Sequence, residues 1–175
     1  FDEAYSAFAV QGLDKNKDGK LTPDELAELA KVNVESLHEF GFFTKARANG
    51  AKQEFTQPVD YGLTFENGLL KLAFTLPLKT AAAARKTFGL EVYDDTYFVS
   101  FGWAAGDDAV TISNAPSGCK VTISRPKPEA QPLSPPAPGT ATGGAAATLS
   151  EDFFNSLAGK NFGVQFANKA LVACP

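Results

Sequence analysis

The sequence predicts an α+β fold: an EF-hand-like helix-loop-helix packed on an antiparallel β-sandwich or meander. Three observations predict it. Residues 14 to 25, Asp-Lys-Asn-Lys-Asp-Gly-Lys-Leu-Thr-Pro-Asp-Glu, fit a twelve-residue calcium loop. A strongly periodic helical segment follows that loop at once. Beyond residue 40 the spacing of apolar residues changes from near four to two, with Asn-Gly and Asp-Asp turn signals between the runs.

The first segment, Phe1 to Gly12, is a short amphipathic helix candidate with Phe1, Tyr5 and Phe8 on one stripe. Gly12 lies two residues before the loop and weakens its last turn. In the loop, Asp14, Asn16 and Asp18 hold positions 1, 3 and 5, where short oxygen-bearing side chains converge on one ion. Gly19 stands at position 6, where the chain turns sharply. Lys20 at position 7 offers a backbone carbonyl, Thr22 at position 9 can hold a water, and Glu25 at position 12 can give two oxygens. Average residue usage makes such a match an accident on the order of once per million windows. The alternative is an Asp-Gly turn before a capped helix, since Thr22-Pro23-Asp24-Glu25 is also a capping box with proline at the first helical position. The metal ligands expected are Asp14, Asn16, Asp18, Lys20, Thr22 and Glu25, and the ion is Ca²⁺.

Three carboxylates and three neighbouring lysines (Lys15, Lys17, Lys20) give that site a weak net field, and EF-hand affinity follows ligand charge and rigidity. No second loop of this pattern occurs. Sensor EF-hands expose a Met-rich groove on binding, and this chain has no methionine. The expectation is a structural ion that braces the fold, with Leu21 at position 8 packing on the β-body.

Pro23 to about Phe40 reads as a strong helix with Leu26, Leu29, Ala30, Val34, Leu37 and Phe40 on its buried face and Gly41 ending it. Phe43 to Ala48 and Lys52 to Phe55 form an expected hairpin about Asn49-Gly50 in a type I′ turn. Tyr61 to Phe65 and Leu69 to Leu76 form another about Glu66-Asn67-Gly68. Thr87 to Tyr93 and Thr96 to Trp103 flank an Asp94-Asp95 turn, and Val110 to Ser113 and Val121 to Ser124 are shorter strands. From Arg125 to Pro138 six of the eleven prolines crowd together, ahead of a Gly/Ala-rich run. That stretch is read as disordered rather than as a lid. Glu151 to Ala158 is a short helix, and Phe162 to Ala173 a returning strand. The whole reads as a single domain over 1–175: helix-loop-helix at 1–41, meander at 42–124, a Pro/Ala/Gly-rich excursion at 125–147, and the closing helix and strand at 148–175.

Composition narrows the function classes. The 175 residues are 44% hydrophobic with fifteen phenylalanines, enough for a real core. Twenty acidic and sixteen dispersed basic residues give a net charge of −4, which argues against nucleic-acid binding. No apolar stretch reaches the length of a membrane span. The chain opens at Phe1, so it reads as a processed or trimmed product whose signal peptide is absent from this sequence. Cys119 and Cys174 are the two cysteines. Free thiols, part of a metal site and one disulfide are the alternatives. Both cysteines adjoin strand-like runs, and two strand ends side by side suit a bridge. It would close a loop of about 56 residues, worth roughly 4 kcal/mol on the chain-entropy model, and would place the protein in an oxidising compartment.

Five segments together resemble a known family. They are the opening Phe1-Asp-Glu-Ala-Tyr-Ser, the calcium loop, Lys31-Val-Asn-Val-Glu-Ser-Leu37, Glu91-Val-Tyr-Asp-Asp-Thr-Tyr-Phe-Val99, and the closing Gln165-Phe-Ala-Asn with Ala173-Cys-Pro175. They are similar to an uncharacterised bacterial family whose members are described as a periplasmic component of an ABC-type transport system and filed as a domain of unknown function. The resemblance runs nearly end to end, except over the Pro/Ala/Gly stretch. It implies an exported, periplasmic protein, often encoded beside nickel or cobalt transporters. Family members begin with a His-Pro-His-containing strand that this sequence lacks, so no transition-metal ligand carries over.

Two function classes follow. The first is a non-enzymatic, calcium-binding periplasmic accessory or solute- and metal-handling protein, its partner a membrane transporter or that transporter's substrate. The second is a periplasmic hydrolase with carboxylate-based chemistry. Poised groups for an enzyme are scarce, and the expectation is no enzyme. His38, the one histidine, lies off the buried helical stripe beside Glu35 and Glu39 and reads as solvated. No nucleophile elbow, phosphate loop or His-x-x-x-His pair occurs. The pairs Asp94-Asp95 and Asp107-Asp108 read as turns, although sequence cannot measure the carboxylate separations that glycoside chemistry needs.

Overall fold

A computed structural model describes residues 1–81, 86–97, 99–126 and 162–175. The expected Glu151–Ala158 helix and nearly all of the Pro/Ala/Gly excursion lie outside those residues. Two helices and seven strands are seen among them: α1 (Glu3–Ala9), α2 (Pro23–Glu39), β1 (Thr44–Ala48), β2 (Ala51–Gln53), β3 (Val59–Glu66), β4 (Leu69–Thr75), β5 (Thr87–Val92), β6 (Lys120–Ser124) and β7 (Asn168–Ala173). Contacts gather into two compact units. One holds Phe1–Phe42 with Gln53–Ala81, the other Phe43–Lys52 with Ala82–Pro175.

In the first unit, α1 starts where the Asp2 carboxylate accepts the Tyr5 N–H at 2.8 Å. It stops at Val10, and Gly12 follows with φ of +78°. The helix is shorter than the expected Phe1–Gly12 because that glycine turns the chain out of helical geometry. Helix α2 begins at the expected Pro23. Its stripe of Leu26, Ala30 and Val34 is buried, while Phe40, expected inside, is 61% exposed. Phe40 is the C-cap, already past the helical repeat that aims the stripe inward. Leu26 and Ala30 form one cluster with Leu63 of β3 and Leu70 of β4. Leu21, at position 8 of the loop, and Leu29 are half-buried against that cluster of helix and strand residues.

Strands β3 and β4 form a two-stranded antiparallel ribbon with Leu63 opposite Leu72 and Phe65 opposite Leu70. Asn67 and Gly68 turn it, both with positive φ. Buried Ser6 ties α1 to that ribbon: its hydroxyl donates to Asp2 O at 2.6 Å and accepts the Leu70 N–H at 2.9 Å.

The second unit is a five-stranded antiparallel sheet in the order β2-β1-β5-β7-β6. Its strand order is not that of a simple meander. The Asn49-Gly50 hairpin forms, again with two positive φ values, but β2 is only Ala51–Gln53 and Phe55 makes a single bridge to Leu78. Thr96 to Trp103 does not pair with β5. The Asp94 carboxylate instead accepts the Thr96 N–H and hydroxyl and the Val99 N–H, which curls the chain where a hairpin was expected. Strand β7 takes the place beside β5, because Asn168, 1% exposed, bonds Phe101 O and Trp103 N and holds that segment off the ladder. Val110 to Ser113 is likewise not a strand, so β6 pairs with β7. The run from Phe162 is a 3-10 turn to Phe166, and β7 starts only at Asn168. At Gly163 a Cβ would lie 1.7 Å from Asp94 O, so only glycine lets the turn lie against the Asp94 backbone.

Period two sorts this sheet by polarity. Ala46, Leu90, Ala170 and Ile123 lie in one row across the strands, and Ala48, Phe88, Val172 and Val121 in the next, all on one face. The other face carries Lys45, Glu91, Lys169 and Ser124 in register, with Lys169 paired to Glu91 at 3.1 Å.

Candidate metal centre

The loop between the helices is shaped by its own short polar side chains. Asn16 Oδ1 accepts the Asp18 N–H at 2.9 Å, and Asp18 Oδ1 accepts the Lys20 N–H at 2.8 Å. These are successive Asx turns. They carry the chain through Lys17 (φ +60°) and Gly19 (φ +78°). Asp14 reaches across the turn so that its Oδ2 accepts the Gly19 N–H at 2.9 Å. Position 1 is thus tied to position 6.

At the far end, Thr22 and Glu25 make a reciprocal capping box for α2. Glu25 Oε2 accepts the Thr22 N–H at 3.0 Å and lies 2.9 Å from the Thr22 hydroxyl. Its Oε1 accepts the Lys15 N–H at 2.9 Å, so this one carboxylate also closes the loop on its entry. The hydrogen bonds from Thr22, backbone first, hold the Glu25 carboxyl below its ordinary range.

One oxygen is left over. Asp14 Oδ1 is shut away from solvent and has no hydrogen-bond partner, alone among the buried side-chain polar atoms of the described residues. A shielded carboxylate oxygen without a donor is costly, and a hard cation is a natural complement to it. Against this, no three His, Cys, Asp or Glu side chains among the described residues group closely enough to hold a metal ion. The six expected ligands are brought onto one short loop, with Asn16 Nδ2 3.1 Å from Asp18 Oδ2. The third carboxylate, Glu25, is spent on the helix cap and Lys15.

Elsewhere, the remaining sequence candidates have local explanations. Asp94 is buried and filled by its turn donors. Asp95 accepts from Lys45, which also bonds Tyr93 Oη at 2.9 Å and lies over that ring. Burial works to lower the Lys45 pKa, but Asp95 and Tyr93 outweigh it and hold the ammonium above its ordinary range. Asp107 and Asp108 are exposed. His38 is exposed, 3.1 Å from Gln57 Nε2 and edge-on to Phe42. Cys119 and Cys174 form a disulfide with an S–S distance of 2.07 Å, linking the start of β6 to the end of β7. Among the described residues no helix is long and apolar enough to cross a membrane. Sequence reading missed Lys15 N as a partner of Glu25, and Ser6 and Asn168 as buried polar anchors. Only a polar residue inside an apolar stripe would have signalled the last two.

Known proteins are similar to this chain over most of its length. The family described as "Protein of unknown function (DUF1007)" matches residues 1–174, and the chain belongs to it. An uncharacterised protein of Haemophilus influenzae is 25% identical over 174 residues, covering 99% of this chain and 77% of its own length. An uncharacterised 15.5 kDa protein of Spirochaeta aurantia, from the trpE 3′ region, is 28% identical over 113 residues, covering 65% of this chain and 75% of its own length. No solved structure matches the chain.

Proposed function

We propose, with membership of that family as the premise, that the chain is a calcium-binding periplasmic accessory protein of a transport system for metal ions or small solutes. Its ion is structural. The observation that carries the calcium reading is the orphaned Asp14 Oδ1, set in a loop whose other donors are all oxygens. Asp14, Asn16, Asp18, the Lys20 carbonyl, Thr22 and Glu25 would hold the ion. Bound there, it would supply charge compensation and a fixed loop shape, with no chemistry of its own. The Cys119–Cys174 bridge supports an oxidising compartment. The resemblance in the opening, central and closing segments supports the link to transport.

Calorimetry on the purified chain tests the ion. Calcium should bind one to one with a Kd of about 10⁻⁵ to 10⁻³ M, as extracytoplasmic modules do, with magnesium competing poorly. Asp14→Asn should abolish the heat. Absence of heat at millimolar calcium, or a nanomolar constant, overturns the reading.

A further inference from the structure

Among the described residues, the apolar face of the five-stranded sheet is not closed by close packing. The segment from Val110 to Pro116 stands over it and leaves a partly open cavity of about 700 Å³. Its floor is Phe88 and Leu90 of β5 with Ala170 and Val172 of β7, which the register sets opposite one another. Val110 and Ile112 supply the facing wall. Among the described residues no charged side chain lines the space. The hydroxyls of Thr111 and Ser113 are the polar side-chain groups among the described lining residues.

The cavity opens to solvent, so it is not a sealed void. Filled with water, the same surface would forfeit its hydrophobic burial. An apolar occupant would recover that burial. The volume is that of a small-molecule pocket, and such pockets are mostly apolar with a few polar groups that set orientation. The rim is also stiff. Cys174 is bridged to Cys119, and Gly118 runs so close to Pro175 that a Cβ there would lie 3.1 Å from its ring. A pre-formed rim of this kind lowers the entropy lost on capturing a small ligand. It offers nothing to an anion or a cation.

We propose that this cavity binds a neutral, largely aliphatic or aromatic small molecule, with one polar end directed to Thr111 and Ser113. This is independent of the calcium loop, which lies in the other unit.

The test uses the full chain and the neutral dye N-phenyl-1-naphthylamine. Saturable, one-to-one fluorescence enhancement is expected. Ile112→Arg places a charge on the wall at a position already 40% exposed. It should weaken dye affinity at least tenfold with the melting temperature unchanged. Ala170→Leu, which fills the floor, should do the same, and its circular dichroism reports whether the fold survives. Binding equal in wild type and Ile112→Arg would place the dye elsewhere and overturn the proposal. So would no saturable signal, meaning that the chain's own residues fill the space. Loss of dye binding together with a dimer in sedimentation would assign the face to a second copy, and would overturn it too.

Discussion

Thr22 and Glu25 hold one another in place: the Thr22 hydroxyl accepts the Glu25 N–H at 3.3 Å, and Glu25 Oε2 accepts the Thr22 N–H at 3.0 Å. The same glutamate occupies the last position of the loop and bonds the Lys15 N–H. In the proposed calcium-bound state it would have to serve the ion as well as the cap. Metal-free stability and metal affinity therefore both depend on one carboxylate, and substitutions can separate them.

Thr22→Ala removes the cap acceptor and should cost about 1 kcal/mol of metal-free stability in urea denaturation. Glu25→Gln keeps an amide oxygen for the cap and should cost less than Glu25→Ala, yet lose the calcium response entirely. Equal calcium affinity in Glu25→Gln and wild type would remove Glu25 from the ligand set.

Calcium should stabilise the folded chain by linkage. At 100 Kd of free ion the gain is about 2.7 kcal/mol if the unfolded chain does not bind. Chelation should lower the melting temperature, and Asp14→Ala should make the curve indifferent to calcium. Hydrogen exchange should speed up on chelation between residues 12 and 26 only, as a brace requires. Protection changing across a distant strand surface would indicate a sensor instead.

The Glu25 carboxyl also makes a pH prediction. Its folded pKa is held below its ordinary value of 4.5, chiefly by the Thr22 bonds. The carboxylate therefore contributes stability that is full above the unfolded pKa and fades as pH falls through the folded one. In chelator, wild type should exceed Glu25→Gln in stability at pH 6, and the gap should close on acidification toward pH 3. A gap constant with pH would show that the charge contributes nothing.

Reduction of the Cys119–Cys174 bridge, whose cysteines are 55 residues apart, should destabilise the second unit by roughly 4 kcal/mol on the chain-entropy account. Cys119→Ser with Cys174→Ser, followed by denaturation, measures it. Dye binding in the cavity should weaken in the same variant, because Cys174 lines it.

What the amino-acid sequence settled by itself is what neighbouring residues decide. Pro23 and the Thr22–Glu25 box start α2 wherever the helix finally packs, since cap and donor are three residues apart. Asn49-Gly50 and Asn67-Gly68 turn their hairpins because these residues tolerate positive φ at little cost. The spacing from Asp14 to Glu25 shapes its own loop through Asx turns. Only the tertiary structure decided which strands lie side by side. Strand β5 finds β1 and β7 across long stretches of chain, and alternation within β5 names its two faces but not its neighbours. The buried amide of Asn168 and the donors around Asp94 took Thr96 to Trp103 off the ladder, and no local pattern announces a partner sixty-five residues away. The same holds for Glu25: sequence offered it to an ion or to the cap, and only the folded loop shows the capping carboxylate also bonded to Lys15 N, because its second oxygen has that donor within reach.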